Sequence, residues 1–379
     1  MKNSKLILKK VIVAIILLCS ILYITNCIKF RYFSSGPKLN TFHYKYNVIK
    51  LKDDRLFLFG EYRKDRSIPN EIYDPKTNKF TFNFIRDFYY GPYGFLLKDG
   101  NILFTGAYSL QDKKQDEQVI FVYNPNTNKV IQSAKRHESR YGECIIQLDN
   151  NQVLFSHGSS RKGYVKYSEI YNLKTNNFQK INKPLINRFG ATCTQLKNNE
   201  VLIIGGYENK TVEIFNPISK KYKLAEKLKT NRNFFNLIQN DQGETFILGK
   251  YPEGNKSILE VEKYNENNGT FSVINQISEK GLHNYYLVPL KNNKLLLIGT
   301  FSASGMSLPI GKLSKQIVLY DYKKNKFQIL GELPKYLTPV DAIQLQNGDI
   351  LIFGNYPKLL DAKLTRNTTI FHFKNLNLD

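Results

Sequence analysis

The chain has 379 residues, of which 42% are apolar, 13% aromatic and 23% charged, and it carries a formal net charge of +23. That balance excludes a disordered or collagen-like chain and leaves ample material for a large core. With four cysteines, a disulfide-rich scaffold is excluded as well.

The first ten residues, MKNSKLILKK, hold four lysines, and VIVAIILLCSILYITNCI (11–28) then runs eighteen residues without a charge. Eighteen is close to the minimum for a bilayer-spanning helix and longer than a signal-peptide core. No small-x-small cleavage site follows it closely. Residues 1–10 therefore read as a basic cytoplasmic tail, 11–28 as a transmembrane signal anchor, 29–40 as a tether and 41–379 as the folded domain. A cleaved signal and a lipoprotein modified at Cys27 are the alternatives. The lysines ahead of the segment outnumber Lys29 and Arg31 behind it, which keeps the amino terminus in the cytoplasm and puts the domain outside, in a periplasm or at a cell surface. Sequons at Asn209, Asn255, Asn268 and Asn367 are compatible with export. Cys144 and Cys193 lie in the folded part and read as free buried thiols.

Beyond residue 41 a unit recurs. Its second strand is an apolar run closed by glycine, as in LFLFGEY (56–62), VLFSHGS (153–159), VLIIGGY (201–207) and ILIFGNY (350–356). Gly60, Gly106, Gly158, Gly205, Gly206, Gly249, Gly299 and Gly354 mark the copies, and Gly60 to Gly354 gives a mean spacing of 49 residues. In the third copy His157-Gly158 replaces the usual glycine position. A third strand follows in the same rhythm, as in YDPKTNKF (73–80), YNPNTNKV (123–130), YNLKTNNF (171–178) and YDYKKNKF (320–327). Ahead of each run a first strand ends at a leucine and a tight turn such as KDGN or KNNE, whose Asp, Asn and Gly tolerate positive φ. Each unit thus reads as strands a, b, c and d of a four-stranded antiparallel blade. Seven copies predict an all-β, seven-bladed β-propeller preceded by one transmembrane helix.

These motifs resemble the kelch repeat, within the galactose oxidase-like superfamily, over residues 41–379. The resemblance departs at strand d, where Phe80, Phe178, Tyr222, Phe271 and Phe327 stand in place of the usual tryptophan. It implies a ring closed by a shared last blade, because the final copy ends at Leu378-Asp379. Residues 37–44 are the expected donor of the missing strand. Pro289 and Pro339 on strand a point to that strand as the inner edge, where one side has no partner.

Strands alternate in direction, so a–b and c–d turns share one face and the longer, dissimilar b–c and d–a loops share the other. The second is the expected binding face. Arg140, Arg188 and Arg232 stand just before strand a of consecutive blades, and with His137, Tyr141 and His283 they form the candidate binding set. An arc of guanidinium groups suits carboxylates or phosphates, although the same position in such repeats braces the d–a loop. Glu138 and Glu143 are weak acid–base candidates. No catalytic set, cofactor or metal ligand is read, because the five histidines are scattered and no Cys/His spacing suits a metal. Residues 1–31 carry six of the positive charges and no acid, leaving +17 spread thinly over the domain. That spread, without a dense basic block, argues against a nucleic-acid partner. The expectation is a monomeric membrane-anchored scaffold for a protein or glycan, with an exported sugar epimerase- or oxidase-like enzyme as the alternative.

Overall fold

A run such as Val201-Leu202-Ile203-Ile204 has no polar face, so a strand made from it must be covered on both sides. A ring of radially arranged sheets achieves this, each sheet lying between two neighbours. The computed structural model describes residues 32–41, 45–61, 70–83, 88–89, 93–105, 108–109, 118–206, 209–230, 235–253, 256–279, 284–300, 316–334, 337–355 and 366–376. Seven four-stranded antiparallel sheets are present among them, and the protein is a seven-bladed β-propeller. The tail and anchor segments (1–10 and 11–28), Gly106, Arg232 and His283 lie outside the described residues. Among the described residues no helix is long and apolar enough to cross a membrane.

Strands b run at Leu56–Glu61, Ile102–Thr105, Gln152–Ser156, Val201–Ile204, Thr245–Glu253, Lys294–Thr300 and Ile350–Asn355 in blades 1 to 7. Strands c are Asn70–Asp74, Val119–Asn124, Ser168–Asn172, Val212–Asn216, Lys256–Asn265, Gln316–Asp321 and Thr368–Phe371. Seven hydrophobic clusters fill the seven seams between blades. Leu202 and Ile204 face blade 5, while Val201 and Ile203 face blade 3. The seam between blades 7 and 1 is filled in the same way by Leu351, Phe353, Leu56 and Leu58. Strands a of adjacent blades approach one another, including those of blades 7 and 1, which puts them at the inner edge. Pro289 and Pro339 lie on these strands, as expected.

The last blade is shared, and its outermost strand is Phe33–Ser35, paired antiparallel with Thr369–Phe371. The donor therefore lies a few residues earlier than the expected 37–44, inside the stretch read as a tether. After Phe371 the chain turns into a 3-10 turn at Phe373–Asn375 instead of supplying a strand d. Phe33 stacks on Phe371 at 5.0 Å between ring centroids. Thr368 then holds the chain leaving the strand, its carbonyl accepting from the Gly36 N–H and its Oγ1 donating to the Pro37 carbonyl.

Both hairpin sets on the uniform face use the left-handed region. The c–d turns place Asn78, Asn128, Asn176 and Asn325 at φ 54, 56, 54 and 47°. In each case the strand c tyrosine five residues earlier donates its hydroxyl to that asparagine: Tyr73 at 2.9 Å, Tyr123 at 2.8 Å, Tyr171 at 2.6 Å and Tyr320 at 2.6 Å. This clasp accounts for the recurring Tyr and Asn of the motif. The glycines closing strand b divide into two sets. Gly60, Gly249, Gly299 and Gly354 lie within the a–b ladders. Gly158, Gly205 and Gly206 take positive φ where the chain leaves the sheet.

If Phe33 closes the ring, truncating it should weaken the whole propeller. Phe33→Ala is expected to lower unfolding stability by about 1–2 kcal/mol from lost burial and stacking, measured by denaturant titration. Ile218→Ala, at a site 94% exposed, should change it by less than about 0.5 kcal/mol.

Candidate binding face

In four copies strand c carries a glutamate two residues before its aromatic: Glu71, Glu169, Glu213 and Glu262, all with no exposed surface. A carboxylate removed from water is costly unless donors converge on it. Here the donors are backbone N–H groups of the d–a loop that leads into the same blade. Glu71 accepts from the N–H groups of Asn40 and Thr41, and Glu169 from that of His137. Glu213 accepts from Leu185 and Ile186, and Glu262 from Lys229 and Thr230. The d–a loops into blades 1, 3, 4 and 5 are therefore pinned to the strand c of the blade they enter.

Blades 3 and 4 add an arginine to each clasp. Arg140 donates to Glu169 Oε2 at 2.7 Å and to the carbonyls of His157 and Tyr167, the two ends of the b–c loop. Arg188 repeats the arrangement, with Nε to Glu213 Oε2 at 2.7 Å and Nη1 to the carbonyls of Gly205 and Thr211. Both side chains are buried. Their guanidinium groups join three segments of their own blade and are not presented to solvent. Of the remaining sequence candidates, exposed His137 donates from Nδ1 to Glu169 at 2.7 Å. Tyr141 bridges to Ser159 at the base of a small ribbon, Ser159–Ser160 with Gly163–Tyr164.

His157 adopts φ 62°, the conformation of the glycine it replaces, and its ring locks blade 3 to blade 4. Nε2–H donates to Glu213 at 3.0 Å, and Nδ1 accepts from Ser156 Oγ at 2.8 Å. Ser156, Ser168 and Tyr222 close a hydroxyl cluster beside it. Burial holds the imidazole below its ordinary pKa and pushes the Tyr222 hydroxyl up to about 12.

Cys144 and Cys193 form a disulfide between the inner strands of blades 3 and 4, with Cα atoms 5.8 Å apart, which corrects the expectation of free thiols. The offset between them supplies the reason. Cys144 pairs with Ser156, the last strand b residue, whereas Cys193 pairs with Ile203, the penultimate one. A one-residue offset turns the two side chains to opposite faces of their blades, so each faces the other across the seam.

This disulfide lines a cavity of about 290 Å³ together with Tyr93, Tyr141, Gly142 and Glu143. Glu143 is held bidentately by the buried Arg136 at 2.7 and 2.9 Å. Burial pushes its carboxyl up, while Arg136 and Arg140 pull it down. On the loop side of blades 2 to 4, Tyr93 at the cavity and Tyr164, Leu185 and Phe189 beyond it are exposed by 63, 48, 51 and 46%. Phe189 is fixed there by close packing: a Cβ on Gly142 would meet its ring at 2.8 Å, and the Gly190 N–H donates to the Gly142 carbonyl. These apolar residues carry no repeat signature, and reading the chain by its repeats passes over them.

At the seam between blades 7 and 1, the inner edge of blade 1 leaves N–H groups without a ladder partner. Asp341 of blade 7 accepts from Val48 of blade 1 and from its own neighbour Ala342, and burial raises its carboxyl to about 6.

No protein-family model matches the chain, and no curated protein matches it. Among solved structures the fold is similar to that of a fungal alcohol oxidase of the AA5 family in complex with copper. The TM-score is 0.62 at 14% identity, over 89% of this chain and 76% of that one. It is also similar to a streptogramin B lyase, with TM-score 0.59 at 12% identity, over 89% and 97% of the two chains. Identities this low carry the fold alone. Among the described residues no three His, Cys, Asp or Glu side chains converge on a metal site.

Two outcomes follow. Glu213→Gln leaves the buried Arg188 without its counter-charge and should cost about 3–5 kcal/mol in denaturant unfolding. Asp341 contributes stability fully below its ordinary pKa and loses it as pH rises through about 6. Asp341→Asn should thus be more stable than the parent at pH 7.5, by about 2 kcal/mol, with the gap closing towards pH 4.

Proposed function

We propose that this protein is a membrane-tethered, exported propeller of the kelch type that binds a protein partner on the loop face of blades 2 to 4. The observation that carries the reading is the exposure of Tyr93, Tyr164, Leu185 and Phe189 on the loop side of blades 2 to 4, the last three on loops that buried Glu and Arg residues hold rigid. Aromatic anchors on a preorganised surface are the features that concentrate binding energy at interfaces. Beside them the ribbon turn carries Arg161, Lys162 and the nearby Lys166, all exposed, which suits a partner with an acidic rim. Tethering by residues 11–28 and exposure outside the cell rest on the basic-then-apolar amino terminus. The Cys144–Cys193 disulfide supports an oxidising compartment.

An exported carbohydrate-modifying enzyme is the weaker reading. The carboxylate at the cavity, Glu143, is engaged bidentately by Arg136, which leaves it poorly placed for proton transfer.

A photo-crosslinking residue at position 189 tests the binding site in intact cells. It should yield a discrete protein adduct, whereas the same residue at position 218, on the opposite face, should not. Equal adducts at both positions, or glycan binding without any protein adduct, would contradict the reading. Protease added outside intact cells should digest the propeller, and full protection would refute export.

A further inference from the structure

Among the strand c tyrosines of the hairpin face, one lacks the partner that its counterparts have. In blades 1, 2, 3 and 6 the strand c tyrosine donates to an asparagine five residues later. In blade 5 that tyrosine is Tyr264, and the position five residues on is Gly269. Gly269 keeps the left-handed backbone, at φ 71°, but offers no acceptor. A Cβ built on it would lie 3.8 Å from the Tyr264 hydroxyl oxygen, so the space an asparagine fills elsewhere is open. Tyr264 is only 4% exposed, its ring packed on Phe271, and its hydroxyl has no hydrogen-bond partner among the described residues.

The released hydroxyl lines a cavity of about 690 Å³ between the turns of blades 4 and 5. Lys197, Lys263, Glu244 and Glu266 lie around it, with the Asn267 amide and the Ser272 hydroxyl. Two lysines and two glutamates leave the lining without net charge. Lys263 Nζ meets Glu244 at 2.6 Å, and Glu266 accepts from the Lys197 backbone N–H at 3.0 Å. Such a lining favours neither an anion nor a cation, and apart from the Tyr264 ring every lining residue is polar or charged, which does not suit a lipid. A neutral molecule dense in hydroxyl groups would meet donors and acceptors together, with an unclasped tyrosine hydroxyl ready to pair.

We propose that this cavity is a binding site for a neutral saccharide, formed where Gly269 replaces the clasping asparagine and frees Tyr264. It lies on the face opposite the proposed protein-binding surface and does not depend on it. Polyhydroxylated ligands of one or two sugar units match its size and its mixed polar lining.

The test is calorimetric titration of the full chain, in a non-glycosidic detergent, with neutral oligosaccharides of glucose, galactose, mannose and N-acetylglucosamine. At least one should bind. Tyr264→Phe removes only the hydroxyl and should weaken that binding about tenfold. Gly269→Asn restores the clasp seen in four other blades, so it should preserve or raise the melting temperature while abolishing binding. No binding by the parent chain, or binding undiminished in Gly269→Asn, would overturn the proposal. So would binding lost in Phe189→Ser instead, which would place the sugar on the loop face. A preference for sulfated or uronate sugars would overturn the neutral ligand class.

Discussion

Everything in this propeller depends on strand b being apolar on both faces. A single blade would leave two greasy surfaces in water, and burying each is worth about 25 cal/mol per Å² of apolar area. Neighbouring blades supply both covers, so no blade is stable alone and none can stand at an end. Leu202 faces one seam and Ile203 the next, and this alternation continues round the ring until Leu351 and Phe353 meet Leu56 and Leu58. Closure by Phe33–Ser35 is a consequence: the last sheet needs an outer strand, and the chain's own beginning provides it.

Once the ring is closed, its two faces have different duties. On the hairpin face four strand c tyrosines are clasped by a positive-φ asparagine, so Tyr264, with Gly269 in that asparagine's place, stands out. On the loop face variation is the rule, and rigidity comes from the buried carboxylates of strand c. Glu169 and Glu213 each gather a loop backbone and an arginine that in turn holds both ends of the b–c loop. Exposed aromatics can then sit on irregular loops without those loops being soft.

Much of this was legible in the sequence, because the fold is periodic and periodicity survives without any alignment. The glycine-ended runs, the Tyr-to-apolar spacing and the Leu-bounded turns place strands a to d in the first six copies and a to c in the seventh. What escaped is what breaks the period. Cys144 and Cys193 are one position out of register, and only the pairing of strands a with b shows that the offset turns them towards each other. The shift of the closing strand to Phe33–Ser35 is hidden for a similar reason, since Phe-Ser-Ser carries too short an alternation to be read as a strand. The arginines were seen, but their partners Glu169 and Glu213 lie 29 and 25 residues away. Without those partners an inward brace and an outward binding arc look alike.

Native-state hydrogen exchange on the full chain tests the central claim, a ring closed through its amino-terminal strand. Amides of strands b in all seven blades, together with residues 369–371, should exchange through one shared global opening. Early, independent opening of residues 350–355 and 369–371, with the other six blades still protected, would show that the last blade is not closed and would contradict the account.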